Sequence, residues 1–195
     1  TYGGSALVAA LALHPAFPTV PRMYVATQDA GLYLSTDGGA SFATAHEGIA
    51  AVNVRALAVL PNPAFSGLTN RRLYVGQSDA FTASPALFAS TNAGLSFSTA
   101  TNGLQALHLR SLVIDPTTVG TTPGGLASTV IYAGGRSLTG PVDQRRAGIY
   151  KSSDGGASWS SHGAELPVTG APPVSFLGTV RQILLDPRSC ASPPA

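Results

Sequence analysis

Acidic side chains are the groups in this sequence best suited to bond cleavage, because paired carboxylates can act as acid and base. The chain carries nine Asp and Glu residues. Enzymes that hydrolyse glycosidic bonds hold two carboxylates about 5 to 9.5 Å apart across the substrate. Asp29 and Asp79 are the candidates, since each follows a predicted strand in a loop. The alternative, which the sequence favours, is that both lie in solvated turns. No partner carboxylate is identified, so no catalytic residue is assigned.

A recurring arginine is the second chemical feature. Arg55, Arg110 and Arg181 each open a short apolar run that ends in proline. A guanidinium repeated at one position could line a channel and bind an anion or an acidic partner. The alternative, which the sequence favours, is that each arginine packs against or pairs with the neighbouring unit. With the two loop aspartates, these arginines form the predicted channel or partner-binding set.

Other catalytic and ligand-binding chemistries find little support in the sequence. The four histidines are scattered, with no pair at the spacing of metal ligands. Neither a G-x-S-x-G motif nor a Cys/His pair is evident. Cys190 is the single cysteine, which excludes an internal disulfide and leaves its role open. We therefore predict no metal site and no cofactor.

The composition of the chain limits the classes of partner that it is expected to bind. Only 10% of the residues are charged and the net charge is +2, with no basic stripe of the kind that binds nucleic acid. The longest apolar stretch, 6–13, is far shorter than the ~20 residues of a membrane span. A surface poor in charge is typical of exported proteins, so we expect an extracellular, periplasmic or cell-surface location.

Three octapeptides show that the chain is internally repeated. They read STDGGASF at 35–42, STNAGLSF at 90–97 and SSDGGASW at 152–159. Each follows two short runs rich in Val, Ile, Leu and Tyr, and each unit opens on an alternating run, which are strand signals. No stretch shows a sustained helical period. Four short antiparallel strands per unit predict an all-β fold built from β-propeller blades.

The repeat sets the expected blade boundaries at about 6–50, 51–105 and 106–170, with a first strand of a further blade at 178–187. Three blades plus one strand fall short of the four to eight blades that usually close a ring. We therefore expect this segment to be part of a larger propeller. The alternative is closure by self-association or by strand pairing at the unfinished blade.

The octapeptides have the residue types of a tight hairpin joining the third and fourth strands. Asp37, Asp154 and Asn92 can accept hydrogen bonds from nearby backbone N–H groups. Glycines supply positive φ, and the closing aromatic side chains are expected to pack beneath the turn and pin it to the blade. The predicted structural residues of the three boxes are Ser35, Asp37, Gly39, Phe42, Ser90, Asn92, Gly94, Phe97, Ser152, Asp154, Gly156 and Trp159.

The pattern Ser-x-Asp-x-Gly-x-Ser/Thr-Trp/Phe resembles the Asp-box, or bacterial neuraminidase repeat. The first and third copies match it fully, whereas the second departs from it at Asn92 and Ala93. The resemblance implies a propeller similar to those of sialidases, sortilin-type receptors and xyloglucan-degrading glycosidases. It also implies that the boxes lie at the blade periphery, away from the ligand face. The Arg-Ile-Pro signature of sialidases is absent.

These observations favour a non-catalytic propeller over an enzyme, because the box residues all have structural uses. Such a propeller would bind a protein or glycan partner, or serve as a structural or assembly module of an exported or cell-surface protein. The alternative is a fragment of a secreted glycoside hydrolase, sialidase-like or xyloglucanase-like, with catalytic acids partly outside this chain. A third hypothesis is a subunit that docks through its arginine-lined face.

Overall fold

The computed structural model describes residues 7–49, 52–60, 72–78, 87–104, 108–119, 128–136, 147–162 and 180–186. Within these ranges, twelve short strands form three antiparallel sheets of four, each in chain order. No described stretch forms an α-helix, and a three-residue 3-10 turn lies at Pro116–Thr118. The predicted all-β fold of four-stranded blades is therefore confirmed.

Each blade consists of four consecutive strands. Blade 1 comprises β1 (Val8–Leu13), β2 (Met23–Thr27), β3 (Leu32–Ser35) and β4 (Ala43–Thr44). Blade 2 comprises β5 (Val54–Val59), β6 (Leu73–Gln77), β7 (Leu87–Ser90) and β8 (Ser98–Thr99). Blade 3 comprises β9 (His108–Ile114), β10 (Ile131–Arg136), β11 (Ala147–Ser152) and β12 (Ser160–Ser161). The two-residue fourth strands are exposed edges.

The first strands of the blades are the innermost elements. Strand β5 contacts both β1 and β9, whereas the fourth strands contact only their own blades among the main strand contacts. Each first strand also contains a one-residue bulge opposite its second strand, at Ala9, Arg55 and Arg110. Because a bulge turns a side chain away from the regular alternation, the arginines of blades 2 and 3 occupy a special position in the ladder.

Residues 180–186 lie where the first strand of a further blade is expected. The Val180 N–H donates to Gly135 O at 3.4 Å, and the Ile183 N–H donates to Ser111 Oγ at 2.9 Å. No described strand pairs with this segment in a ladder, and the predicted span 178–187 lies partly outside the described residues. Arg181 lies in this segment.

The apolar core lies between blades rather than inside each one. The described residues form two clusters of buried side chains, one at each interface between described blades. The cluster between blades 1 and 2 contains Tyr24, Ala26, Leu32, Ala45, Val54, Leu73, Val75, Phe88 and Phe97. The cluster between blades 2 and 3 contains Ala56, Ala58, Leu60, Tyr74, Leu87, Leu109, Leu112, Ile114, Ile131, Ala133, Tyr150 and Trp159. Neighbouring blades therefore bury one another's apolar faces.

A tyrosine from the second strand of one blade fits against the box hairpin of the next blade. The Tyr24 hydroxyl donates to Ala93 O at 3.0 Å, and the Tyr74 hydroxyl donates to Gly155 O at 2.7 Å. Both tyrosines are fully buried. A Cβ added at Gly94 would lie 3.1 Å from Tyr24 Cε1. We call this contact the tyrosine–box joint.

The closing aromatic residues of the second and third boxes complete the two joints. The Phe97 N–H donates to Glu47 O in blade 1, and the Trp159 indole N–H donates to Ala100 O in blade 2. Both side chains are buried in the apolar clusters shared by their own blade and the preceding one. The packing predicted for Phe42 is wrong, since its side chain is 46% exposed. No described blade precedes blade 1 to receive Phe42.

Crowding at the joint should make Gly156 far less replaceable than a box glycine in open space. In Gly156→Ala the new Cβ would lie 2.9 Å from Tyr74 Cε1 at a φ of +84°. In the matched variant Gly38→Ala the φ is +75°, but the nearest atom is Pro21 Cβ at 3.9 Å. We expect the positive φ to cost about 1 kcal/mol in both variants. Overpacking should add about 1–3 kcal/mol in Gly156→Ala only. Urea unfolding measures the free energy of unfolding of each variant. An equal decrease in the two variants would contradict the steric argument.

Candidate functional site

The box of blade 1 is a turn held by its own side chains. Ser35 Oγ donates to Asp37 Oδ1 at 2.7 Å and accepts from the Gly39 N–H at 2.8 Å. Asp37 Oδ1 also accepts from the Ser41 N–H at 2.9 Å, and Asp37 Oδ2 accepts from the Ser41 hydroxyl. The carboxylate thus bridges both ends of the turn, as in an Asx-type turn.

The boxes of blades 2 and 3 repeat this network. In blade 3, Asp154 accepts from Ser152 Oγ at 2.7 Å and from the Ser158 N–H at 2.9 Å. In blade 2, Asn92 Oδ1 accepts the corresponding bonds at 2.8 and 2.9 Å, and Asn92 Nδ2 donates to Ser96 Oγ at 2.8 Å. The Asn92 amide therefore takes the place of the carboxylate in the same geometry. One hydrogen bond is reversed, because Asn92 Nδ2 donates to Ser96 Oγ, whereas Asp154 Oδ2 accepts from Ser158 Oγ. The network holds the turn without requiring a charge.

The middle box contains the one alanine that has a positive φ among the described residues, Ala93 at 60°. Such a conformation costs a non-glycine residue roughly 1–2 kcal/mol. Ala93 is nevertheless fully buried, and its carbonyl accepts the Tyr24 hydroxyl in the first tyrosine–box joint. Burial and this hydrogen bond offset the backbone strain.

The box carboxylates are strongly held in their ionised form. Hydrogen bonds from the side chain and backbone of Ser41, and then from Ser35, lower the pKa of Asp37 below its usual value near 3.8. For Asp154, partial burial acts to raise the pKa, but hydrogen bonds from Ser158 and Ser152 outweigh it and the pKa is lowered. A general acid needs a raised pKa instead. These two carboxylates are therefore suited to fixing turns and not to donating protons.

The predicted channel residues lie at the opposite end of the sheets from the boxes. The bulged Arg55 and Arg110 are half-buried near the start of the innermost strands, and the exposed Arg181 lies in the segment 180–186. Asp29 is exposed in the short β2–β3 turn and acts electrostatically on Arg55. The structure therefore brings the described members of this set to one end of the molecule. Asp79 lies outside the described residues, as does Cys190.

Arg55 is the best-defined member of this set. Its Nε–H donates to Asn53 Oδ1 at 2.7 Å. Burial lowers the pKa of Arg55, the positive charge of Arg110 lowers it further, and Asp29 raises it. Two guanidinium groups therefore repel each other across neighbouring blades.

Other polar features have local structural partners. Asp115 caps the 3-10 turn by accepting from the backbone N–H and the hydroxyl of Thr117, at 2.9 and 2.7 Å. Ser78 Oγ and His108 Nδ1 are 2.9 Å apart, and both side chains are buried between blades 2 and 3. The sequence repeat gave no signal for this pair, because Gln28 stands where blade 2 has Ser78. Its burial makes it a link between blades and not an accessible nucleophile.

A groove of about 480 Å³ opens between blades 2 and 3 on the box side. Its lining is rich in hydroxyl and amide groups, which suits hydrogen bonding to a polar ligand. It is lined by Arg72, Ala89, Thr91, Ser98, Thr99, Ala100, Thr101, Asn102, Gly155, Gly156 and Ala157.

The described residues contain no group of three or more His, Cys, Asp or Glu side chains placed to hold a metal ion. They also include no helix with the length and apolar character needed to cross a membrane.

Comparisons with known proteins place the fold. No protein-family model and no curated protein matches the chain. Among solved structures, an ancestral GH74 enzyme matches with a TM-score of 0.56 and 21% identity, over 79% of this chain and 18% of that one. The GH74 enzyme of Niastella koreensis matches with a TM-score of 0.53 and 19% identity, over 73% of this chain and 19% of its own. The chain thus has a β-propeller fold similar to part of these enzymes, and it spans about a fifth of their length.

Replacing both box aspartates by the asparagine found in the middle box should reduce the acid sensitivity of the protein. A carboxylate whose pKa is lower in the folded state stabilises the fold above its unfolded pKa. This contribution disappears as the pH falls below about 4 toward the lowered folded pKa. We expect the wild-type unfolding free energy to fall over this range. The double variant Asp37→Asn/Asp154→Asn should show a flatter pH profile.

Urea unfolding from pH 2 to 7 measures this difference. Near neutral pH the double variant should stay folded, because Asn92 already supports the same turn. A wild-type profile as flat as that of the double variant would contradict a role for the box carboxylates in acid unfolding.

Proposed function

We propose that this chain is a blade-forming segment of an exported β-propeller glycoside hydrolase. The observation that carries the proposal is the match of three four-stranded blades to GH74 enzymes, over 79% of this chain in one case. In this proposal the blades supply the scaffold and one part of the substrate-binding face. Catalytic carboxylates come partly from outside the chain.

We further propose that the three octapeptides are Asp-boxes. The support is the shared hydrogen-bond network, in which one Ser hydroxyl and one Asp or Asn side chain close each turn. Each joint between described blades also inserts a box between the two. In this assignment the boxes are structural, and they keep the blades in register.

The acids of the chain differ in their availability for catalysis. Asp37, Asp154 and Asp115 all accept several hydrogen bonds within their own turns. Asp29 is exposed at the end of the sheets where the innermost strands begin, and Asp79 follows β6 as Asp29 follows β2. Because hydrolysis needs two carboxylates facing each other across the substrate, Asp29 and Asp79 are the candidates that this chain contributes.

A non-catalytic propeller that binds a glycan or protein partner, or assembles with other chains, is the second candidate function. The observation that favours it is that three of the six described acids serve turns. This reading predicts binding without turnover, whereas the hydrolase reading predicts the release of reducing ends.

The hydrolase proposal is tested on the full-length parent protein with xyloglucan, other β-glucans and sialosides as substrates. We expect reducing ends to be released from at least one β-glucan. The double variant Asp29→Asn/Asp79→Asn should lower kcat by at least about 100-fold, the scale of acid–base catalysis. The matched variant Asp154→Asn should leave kcat within about twofold, since a box amide supports the same turn.

Failure of the parent protein to release reducing ends from every substrate, with binding to one of them retained, would replace this proposal by the non-catalytic propeller. A loss of kcat in Asp154→Asn as large as in the double variant would contradict the division between box and substrate-face carboxylates.

A further inference from the structure

The groove between blades 2 and 3 is a consequence of side-chain size at one joint. Ala89 of β7 lines it, whereas Leu34 occupies the same place in β3, opposite the joint tyrosine in both blades. Ala157 lines it from the box of blade 3, whereas the box of blade 2 has Leu95 there. At the joint between blades 1 and 2, Leu34 packs against the core cluster. The repeated architecture therefore does not require a groove, and small residues at this joint open one.

The chemistry of the lining changes at two further positions. The second residue after the fourth strand is His46 in blade 1 and Thr101 in blade 2, and the next is Glu47 in blade 1 and Asn102 in blade 2. Both Thr101 and Asn102 line the groove. A titratable pair at the first joint is thus replaced by a hydroxyl and an amide at the second. Neither a carboxylate nor an imidazole is among the described residues that line the groove.

The polar side chains of the lining are uncharged with one exception, Arg72. The Arg72 Nη1–H donates to Gly155 O at 2.8 Å, the same carbonyl that accepts the Tyr74 hydroxyl. This guanidinium is therefore engaged in the joint between the blades. The other polar side chains are neutral donors and acceptors, so the lining selects a ligand by hydrogen bonding rather than by charge.

Four hydroxyl groups of the lining are available to a ligand. They form no hydrogen bond with the described part of the chain and take no part in the box networks, and they belong to Thr91, Ser98, Thr99 and Thr101. A hydroxyl can both donate and accept a hydrogen bond, which is also true of the hydroxyl groups of a sugar. The volume of about 480 Å³ lies within the range of about 300–1,000 Å³ that is usual for ligand sites. The groove therefore has the size and the donors and acceptors that a short stretch of sugar chain needs.

An extended peptide that adds a strand to the exposed edge of β8 is the competing occupant. Such a peptide needs a row of unpaired backbone groups along the edge, but the blades on either side already use the flanking ones. The Phe97 N–H donates to Glu47 O in blade 1, and Asn102 O accepts from the Trp159 N–H in blade 3. Only the two residues of β8 lie in the ladder between these bonds. The edge therefore favours a ligand that bonds to side chains.

We propose that this groove is an additional glycan-binding site, which holds a short stretch of a neutral polysaccharide on the box side of the blades. The uncharged lining supports a neutral ligand, and the available hydroxyl groups support a sugar. The choice of a polysaccharide rests on the proposed glycan-directed function. Asp29 lies at the opposite end of the sheets, so the groove is separate from the candidate catalytic face. A polymer held at both places at once is retained more tightly than at either alone.

Affinity electrophoresis of the full-length parent protein, in gels that contain a soluble polysaccharide, tests the site. Xyloglucan, mixed-linkage β-glucan, galactomannan and xylan are the neutral probes, and polygalacturonate is the charged comparison. We expect at least one neutral polysaccharide to retard the protein more than polygalacturonate does. Ala157→Leu and Ala89→Leu fill the groove with the residues that the neighbouring joint carries at these places. Each should raise the apparent Kd about tenfold, because the second attachment of the polymer is lost.

Hydroxyl removal separates hydrogen bonding from groove shape. The double variant Thr99→Val/Thr101→Val keeps the branched shape of both side chains and should weaken binding about tenfold, since two hydrogen bonds are lost. The matched variant Thr44→Val makes the same change in β4, at the counterpart of Thr99 outside the groove, and should leave binding unchanged. Urea midpoints of all variants establish that the blades remain folded.

Retardation by none of the neutral polysaccharides, or unchanged retardation in a folded Ala157→Leu variant, would overturn the site. An equal loss of binding in Thr44→Val and in the double threonine variant would also overturn it, because the effect would not be specific to the groove. Calorimetric binding of an uncharged hexapeptide that Ala157→Leu abolishes, without retardation by any polysaccharide, would assign the groove to a peptide instead.

The failure of this site and the failure of the proposed hydrolase are distinguishable. A parent protein that releases reducing ends, but whose groove variants are retarded like wild type, would refute the groove and leave the hydrolase standing. Retardation that depends on the groove, without release of reducing ends from any substrate, would refute the hydrolase and leave the groove standing.

Discussion

Each described blade is held to the next by a tyrosine whose ring lies against a glycine of the following box. The approach is close enough that one added carbon at Gly94 or Gly156 would lie within 3.1 Å of a ring atom. The tyrosine hydroxyl then donates to a carbonyl of the same hairpin, and the closing aromatic residue of the box packs back onto the preceding blade. Because the apolar clusters also lie between blades, the burial of each blade depends on this contact. The box is thus a link between units as much as a turn within one.

The two ends of the sheets have different physical tasks. At the box end, hydroxyl, carboxylate and amide groups bond to one another and to backbone N–H groups within eight residues. At the other end, guanidinium groups repel each other and a carboxylate is exposed. Polar groups that satisfy one another stabilise a fold, whereas charged groups gathered in one place are typical of sites that recognise ligands. This contrast separates scaffold from candidate site.

Much of the fold could be predicted from the sequence, because its repeat is explicit. The alternating runs, the Gly-rich octapeptides and the spacing of prolines together predicted three blades of four antiparallel strands. The repeated tyrosines at Tyr24 and Tyr74 were also visible as a pattern, but their partner lies 69 and 81 residues away and has no local signal. The exposure of Phe42 escaped prediction for the same reason, since its burial depends on a neighbouring blade. The bulges could not be predicted, because the register of a strand depends on the strand it pairs with and not on its own sequence alone.

The tyrosine–box joints place no constraint on the length of the loops between the second and third strands. These loops lengthen from four residues in blade 1 to nine and ten in blades 2 and 3. They emerge at the arginine end of the sheets, remote from the tyrosines and boxes that carry cohesion. Since closing a longer loop costs only about 0.6 kcal/mol for each doubling of length, such growth has little thermodynamic consequence. A propeller of this design can diversify what it recognises, blade by blade, while the interlocking between blades stays the same.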